Sequence, residues 1–399
     1  MRKIKSCLLL STVIAIGALN AASSSSAGCS SKQAIVIDNG SGTIKAGFAS
    51  TETPQHTIAT AVVRSNKDRN YHYVGEEALI KGGTYPVKYP IIGGIITNSD
   101  DMEKIWRYTI EKALKVNPGD HPVLLTEHPL NPSDKREKTA QVMFEELTVP
   151  AMYLGNKATL ALYAAGRTTG IVVKSGSEAT SVVPIYEGHA LSYAASSVLL
   201  GGNDIRYYLY MKMQKNGYVV DDSSKMIAVK DILQSRCFVA MRTDKRFDPY
   251  LDYTHMNTPI DEYKLPDGSV ITLGTGLHQA PEVFFQPSLI GRRDYPGIHQ
   301  LTYDAIMKVD PDLRADMFGN IVLSGGNTMF PGLGERLLKE IRMLAPAGTA
   351  VQVIAPQNRK YSAYIGGSIL ASLSTFQGMC ISKAEYDAYG PTIVHRKFF

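Results

Sequence analysis

Two short stretches of this chain repeat one plan, and together they limit the fold more than any other feature. In "AIVIDNGSGTIKAGF", Ala34 to Ile37 predicts a strand, Asp38-Asn39-Gly40-Ser41-Gly42 a turn, and Thr43 to Phe48 a second strand. In "GIVVKSGSEATSVVPI", Gly170 to Val173 predicts a strand, Lys174-Ser175-Gly176-Ser177 a turn, and Val182 to Ile185 a second strand. Both turns are rich in residues that tolerate positive φ. Such a turn aims backbone N–H groups at an anion, and phosphate is the common one. Two copies in different halves predict a duplicated architecture with a ligand between them.

Helical patterns lie between and after these units. "DDMEKIWRYTIEKAL" places Met102, Ile105, Trp106, Thr109 and Ala113 on one face, with acids in its first turn. "SDKREKTAQVMFEEL" predicts a helix with Ser133 as N-cap. "VLLTEHPL" between them predicts a buried strand. "NIVLSGGNTMFPGLGERLLKEIRML" predicts strand, Gly-rich turn, then a helix with Leu333, Leu337, Leu338 and Ile341 in phase. Alternating strands and helices predict an α/β protein.

The chain has 399 residues and a net charge of +5, with basic and acidic residues interleaved. That argues against a nucleic-acid surface. No Walker A loop, serine-hydrolase elbow or HExxH motif occurs. "GTG" at 274–276 lacks the rest of a dinucleotide fingerprint. Asn39-Gly40-Ser41 fits a glycosylation sequon, but a glycan there would block the turn. The N-terminus runs basic ("MRKIK"), apolar ("CLLLSTVIAIGAL") and small-polar ("NAASSSSAG"), the pattern of a secretory signal peptide cleaved near Ala21–Ala22. The alternatives are an uncleaved anchor and a lipidated Cys29. Export to the periplasm or beyond the cell is the expectation, and nothing after the signal is long and apolar enough to span a bilayer. Cys7 leaves with the signal; Cys29, Cys237 and Cys380 form no metal-ligand spacing and read as small hydrophobes.

From about Ala34 to Phe399 the chain resembles the actin family. The resemblance rests on "DNGSGTIKAGFA", "GIITNSDDMEKIW", "LLTEHPLNP", "VPAMY", "GRTTGIV", "VPIYEG", "GNIVLSGGNTMFPG", "RKYSAYIGGSILASLSTFQ" and "GPTIVHRKFF". It implies an actin-like ATPase fold, with two related ribonuclease H-like domains around a cleft for ATP and a divalent cation. Its implied boundaries are 1–22 for the signal, 23–33 for a flexible leader, 34–164 plus 357–399 for an outer domain with a reduced loop subdomain, and 165–356 for an inner domain. The implied nucleotide residues are Asp38, Gly40, Ser41, Gly42, Lys45, Ser175, Gly176, Gly202, Asp204, Gly325, Gly326, Met329 and Lys360. Tyr163, Gly166, Thr168, Ile369, Leu373, Thr375 and Met379 match an apolar cleft that receives partners in the family.

The departures bear on function. The family's second turn reads D-S-G-D-G-V-T-H, whereas here Lys174, Ser177 and Ser181 replace both aspartates and the histidine. Lys157 replaces the glutamine that helps position the attacking water. Asp38 is the only acid of the family's metal site that remains. Opposite charges about 4 Å apart interact by roughly 4 kcal/mol at an effective dielectric of 20, so exchanging an acid for an ammonium opposes a bound cation strongly. Mg²⁺ and Ca²⁺ need oxygen ligands, which ammonium groups cannot supply. Weak or absent metal binding and no efficient ATP hydrolysis are the expectations. Either the lysines hold the phosphates of ATP directly, or Lys174 pairs with Asp38 and fills the cleft. Leu233 and Gln234 replace a Lys-Glu pair implied to contact the nucleoside.

The filament contacts of the resemblance are altered too. "RSNKDRNYHYVGEEA" is shorter than the family's outer loop, Gly93 replaces a ring-stacked histidine, and Arg292 and Arg293 stand in place of a lateral apolar plug. The expectation is a secreted actin mimic, bacterial by the form of its signal, that binds actin or actin-binding proteins and perturbs filament assembly. The rival is a filament-forming cytoskeletal actin with ATPase activity.

Overall fold

The computed structural model describes residues 32–65, 72–215, 218, 223–241, 262–265, 268, 270–272 and 276–398. The signal, the leader through residue 31, residues 66–71 of the reduced outer loop and residues 274 and 275 of "GTG" lie outside them.

Each turn unit forms an antiparallel hairpin at the heart of its own six-stranded sheet. The first sheet is built from β1 (Ile35–Asp38), β2 (Thr43–Phe48), β3 (His56–Ala59), β4 (Val123–Glu127) and β5 (Ala151–Asn156). β1 pairs antiparallel with β2 and parallel with β4, and β4 pairs parallel with β5. The second sheet uses β6 (Gly170–Ser175), β7 (Thr180–Tyr186), β8 (His189–Ala190), β9 (Ser196–Val198), β10 (Ile321–Ser324) and β11 (Val353–Ile354). β6 pairs antiparallel with β7 and parallel with β10, and β10 pairs parallel with β11. Thus β2-β1-β4-β5 and β7-β6-β10-β11 repeat one strand order. β12 (Ile381–Ser382), near the C-terminus, completes the first sheet on the far edge of β5.

The central strands are buried on both faces, which is why they read as continuous apolar runs rather than alternating ones. Ile35, Ile37, Ile105, Trp106 and Phe144 centre the core of the first sheet. Ile171, Val173, Phe284, Ile321 and Leu337 centre that of the second. Between the sheets, α2 (Lys157–Ala164) packs on the later helix Ser362–Ala371. Their backbones meet so closely that a Cβ at Gly366 would fall 1.8 Å from the Leu160 carbonyl oxygen.

Several local expectations are corrected. β1 begins and ends one residue later than predicted, and β6 and β7 extend to within four residues of each other. The helix α1 (Ser99–Arg107) passes into a π-helical turn, Tyr108–Ala113. The wider turn advances the face, so Ile110 is buried and Ala113 only half-buried. Ser133 is the first helical residue, and Pro132, with no side chain able to cap, holds the N-cap position. In the helix Leu333–Leu344, Leu333, Leu337 and Ile341 are buried with Arg336, while Leu338 lies at the core's margin. Cys237 and Cys380 are buried thiols outside any disulfide.

Candidate functional site

The two turns face each other across the sheets. A Cβ at Gly42 would meet Ser177 Oγ at 2.2 Å, so glycine is required where the turns approach most closely. Asp38 ends β1 opposite Lys45 on β2, and Lys174 sits near the end of β6 opposite Ser181 on β7. The same place in the two hairpins therefore holds a carboxylate in one and an ammonium in the other. Both lie at the C-terminal ends of parallel strands, where open α/β sheets bind ligands.

Asp38 is buried and held on several sides. Thr126 Oγ1 donates to its Oδ1 at 2.8 Å, and Lys45 Nζ lies 3.6 Å from Oδ2. The Thr126 hydroxyl also accepts from Asn39 N at 3.0 Å. The Asn39 side chain is consumed by Thr126 O and Trp106 Nε1, which leaves the sequon asparagine buried and unavailable to a glycan. Burial would raise the Asp38 pKa, but Lys45, Lys157, Lys174 and the Thr126 bond outweigh it and hold it at about 2.

Lys157 is 3% exposed. Asn156 caps α2 by accepting from Ala158 N at 2.9 Å, and this places Lys157 at the first helical position. An ammonium there opposes the helix dipole. Its Nζ donates to the Asn39 carbonyl oxygen. Burial lowers its pKa to about 7; Asp38 opposes the shift, while Lys174 and Lys45 add to it. Lys174 is lowered by burial as well, against the pull of Asp38. His128, missed in the sequence, is pushed down to about 4 by burial and by the two lysines, so it is neutral at pH 7. Its Nδ1 accepts from Leu130 N at 3.1 Å.

Three lysines thus surround one carboxylate. Asp38 has Lys45 as its ion-pair partner, and Lys174 is not within ion-pair distance of it. Among the described residues Lys174 has no hydrogen-bond acceptor, and its Nζ stands over the second turn, 3.8 Å from where a Gly176 Cβ would be. The N–H groups of Gly40, Ser41, Gly42, Ser177 and Glu178 donate to no acceptor among the described residues either. This donor-rich surface suits an anion. For Mg²⁺ or Ca²⁺ the residues do not fit: Asp38 is surrounded by lysines, Glu178 is engaged by Gly93 N, and among the described residues no three His, Cys, Asp or Glu side chains cluster.

The remaining site residues fall into two groups. Gly176 O accepts from Gly202 N at 3.0 Å, and Gly202 would clash with Asn327 if it carried a Cβ. Asn327, also missed, bonds Ser175 Oγ at 3.1 Å. Gly325, at φ +93°, packs on Ser175, and its N–H donates to Arg359 O at 3.0 Å. This joins the Gly326 to Met329 turn to the 359–361 turn, where Lys360 is exposed above Tyr361. Asp204 instead caps its own helix through Gly201 N at 2.9 Å and meets Arg292 at 3.8 Å. Arg292 therefore has a partner within the chain and also stacks on Tyr295. Leu233 belongs to the core, while Gln234 is exposed.

Two further features close the account. Gly93, at φ +59°, donates its N–H to Glu178 Oε2 at 2.7 Å and abuts Leu199. Glu178 thereby ties the Ile91–Ile96 hairpin to the second turn. Tyr163, Ile369, Leu373 and Met379 are all partly buried against one apolar cluster. Gly166 and Thr375 are exposed beside it, and Thr168 O accepts from Gly188 N at 2.7 Å.

A comparison with protein-family models matches the one described as Actin over residues 29–399. No helix among the described residues is long and apolar enough to cross a membrane.

Proposed function

Because the chain belongs to the actin family, we propose that it is a secreted actin mimic whose nucleotide cleft no longer runs the family's metal-assisted hydrolysis. The observation that supports this most is the exchange of acid for ammonium between the turns. Lys157 and Lys174 occupy the positions where oxygen donors would hold a hydrated cation and orient a water. His128 is neutral and its Nδ1 is already occupied by Leu130 N, which removes that nitrogen as a base for the water.

Partner binding is assigned to the apolar cluster that the family resemblance marks. Tyr163, Ile369, Leu373 and Met379, partly buried at its margin, offer apolar surface suited to a neighbour's loop or to an actin-binding protein. The shortened outer loop of the sequence removes the reciprocal contact. A molecule that can receive a neighbour on one face only would end or sequester rather than extend a filament. The N-terminal pattern supports export, and residues 34–164 with 357–399 and 165–356 are the domains of this reading.

The test is an actin elongation assay with the purified mature chain, run beside a phosphate-release assay. Slowed elongation at substoichiometric dose with no phosphate release is expected. Filaments of this chain alone that release phosphate from ATP would support a cytoskeletal ATPase instead and overturn the proposal.

A further inference from the structure

We propose that Glu178 is a latch: its carboxylate, reaching from the second turn to the Ile91–Ile96 hairpin, holds the halves built on the two sheets closed against each other with no ligand between them. This goes beyond the reading of the cleft given above and does not depend on any action upon filaments.

The contact is anchored at both ends. Glu178 Oε2 accepts from Gly93 N at 2.7 Å, and a carboxylate on a backbone N–H makes a charge-assisted bond. The turn that carries Glu178 is seated on the second half. Asn203 N donates to Ser177 O at 2.8 Å and Gly202 N to Gly176 O at 3.0 Å, and a Cβ at Gly201 would fall 2.6 Å from Glu178 N. The hairpin that carries Gly93 is seated on the first half. Ile91 is fully buried in the core of the first sheet, and a Cβ at Gly94 would fall 2.8 Å from Cδ2 of His128. Parting the halves therefore breaks the bond, since neither side is free to follow the other.

Other contacts cross beside it. Leu199 Cδ2 lies 2.7 Å from where a Gly93 Cβ would be. His128 Nδ1 accepts from Leu130 N, so the neutral ring carries its proton on Nε2 and offers it to Ser197 Oγ of β9 at 3.5 Å. At Gly42 and Ser177 the two turns themselves touch.

Both partners of the latch depart from the family pattern. That pattern has glycine at the position of Glu178 and a histidine at that of Gly93, so the acceptor side chain is this chain's own. Gly93 also sits at φ +59° with Leu199 against it, which leaves no room for a side chain there. The bond exists only in the closed arrangement, so it shifts the balance of open and closed forms by its own worth. For a hydrogen bond to a charged group that is about tenfold or more.

The test is a distance across the halves of the full mature chain, read by double electron–electron resonance. Spin labels go on Ile80→Cys in the first half and Tyr207→Cys in the second, which are 79% and 60% exposed. Cys29→Ser removes the leader thiol, and Cys237 and Cys380 are buried. In nucleotide-free buffer with EDTA, one narrow distance is expected. Glu178→Ala should raise the ratio of a second, longer distance to the first about tenfold or more. Glu178→Asp keeps the charge but not the reach and should open likewise. Glu178→Gln, whose amide oxygen still accepts from Gly93 N, should stay within a few-fold of the wild type. Thermal melts show that each variant is folded. A wild type spread over open distances in EDTA, or a distribution unchanged in either folded variant, Glu178→Ala or Glu178→Asp, would overturn the proposal.

Discussion

Replacing Lys157 by glutamine probes the site through stability alone. The amide can still donate to the Asn39 carbonyl oxygen, but the buried charge beside Lys174 and Lys45 is gone. The folded protein holds the Lys157 pKa at about 7, against 10.5 for an ordinary lysine. Below pH 7 both states bind the proton, and the cost of burying the ammonium is fully present. Between pH 7 and 10.5 the unfolded chain binds more protons, so the wild type gains stability as pH rises. The slope approaches about 1.4 kcal/mol per pH unit. From pH 7 to pH 9 the gain is about 2 kcal/mol relative to Lys157→Gln. Trp106 is the chain's single tryptophan; it is buried and bonded to Asn39, so its fluorescence in urea titrations reports on this region. Converging curves, with Lys157→Gln more stable at pH 7 and the two closer at pH 9, are expected. Parallel curves over that range would refute the assignment of a strained ammonium to Lys157.

Other residues give independent checks. Asp38, held at about 2 against an ordinary 3.8, contributes about 2 kcal/mol that is present above pH 4 and lost as pH falls toward 2; Asp38→Asn should flatten that acid limb in denaturant titrations. Thr126→Val removes the hydroxyl bridging Asp38 and Asn39 and should cost about 1–3 kcal/mol. Arg336 is 4% exposed and bonds Glu282 at 3.0 Å, so Arg336→Met removes the charge partner of a buried carboxylate and should cost about 3–5 kcal/mol in urea unfolding. Gly366→Ala forces a methyl onto the Leu160 carbonyl; a melting temperature equal to the wild type would contradict the packing of α2 described above.

The hairpins were legible because glycine-rich turns between apolar runs are local signals, and their likeness announced the duplication. The helix Leu333–Leu344 was legible by its period, but the π turn at Tyr108–Ala113 was not, since widening one turn depends on packing beyond the helix. At the site, the exchanged residues Lys157 and Lys174 stood out against the family pattern. What they touch did not. Thr126 reaches Asp38 from 88 positions away, Glu178 reaches Gly93 from 85, and Asn327 reaches Ser175 from 152. Such contacts are set by which distant strands pair and how the sheets meet, which no local pattern encodes. Which lysine pairs with Asp38 was likewise a matter of distance: Lys45 Nζ lies 3.6 Å from its carboxylate, and Lys174 stands over the second turn.

The most direct measurement is phosphate release from ATP in excess Mg²⁺ by the wild type and by the fourfold substitution Lys157→Gln, Lys174→Asp, Ser177→Asp and Ser181→His, which returns the residues of the family pattern to all four positions. The wild type should release none above a heat-inactivated control, and the restored cleft should gain metal-dependent release. Sustained, Mg²⁺-dependent release by the wild type, abolished by Asp38→Asn, would contradict the proposal that two lysines have displaced the metal chemistry of this cleft.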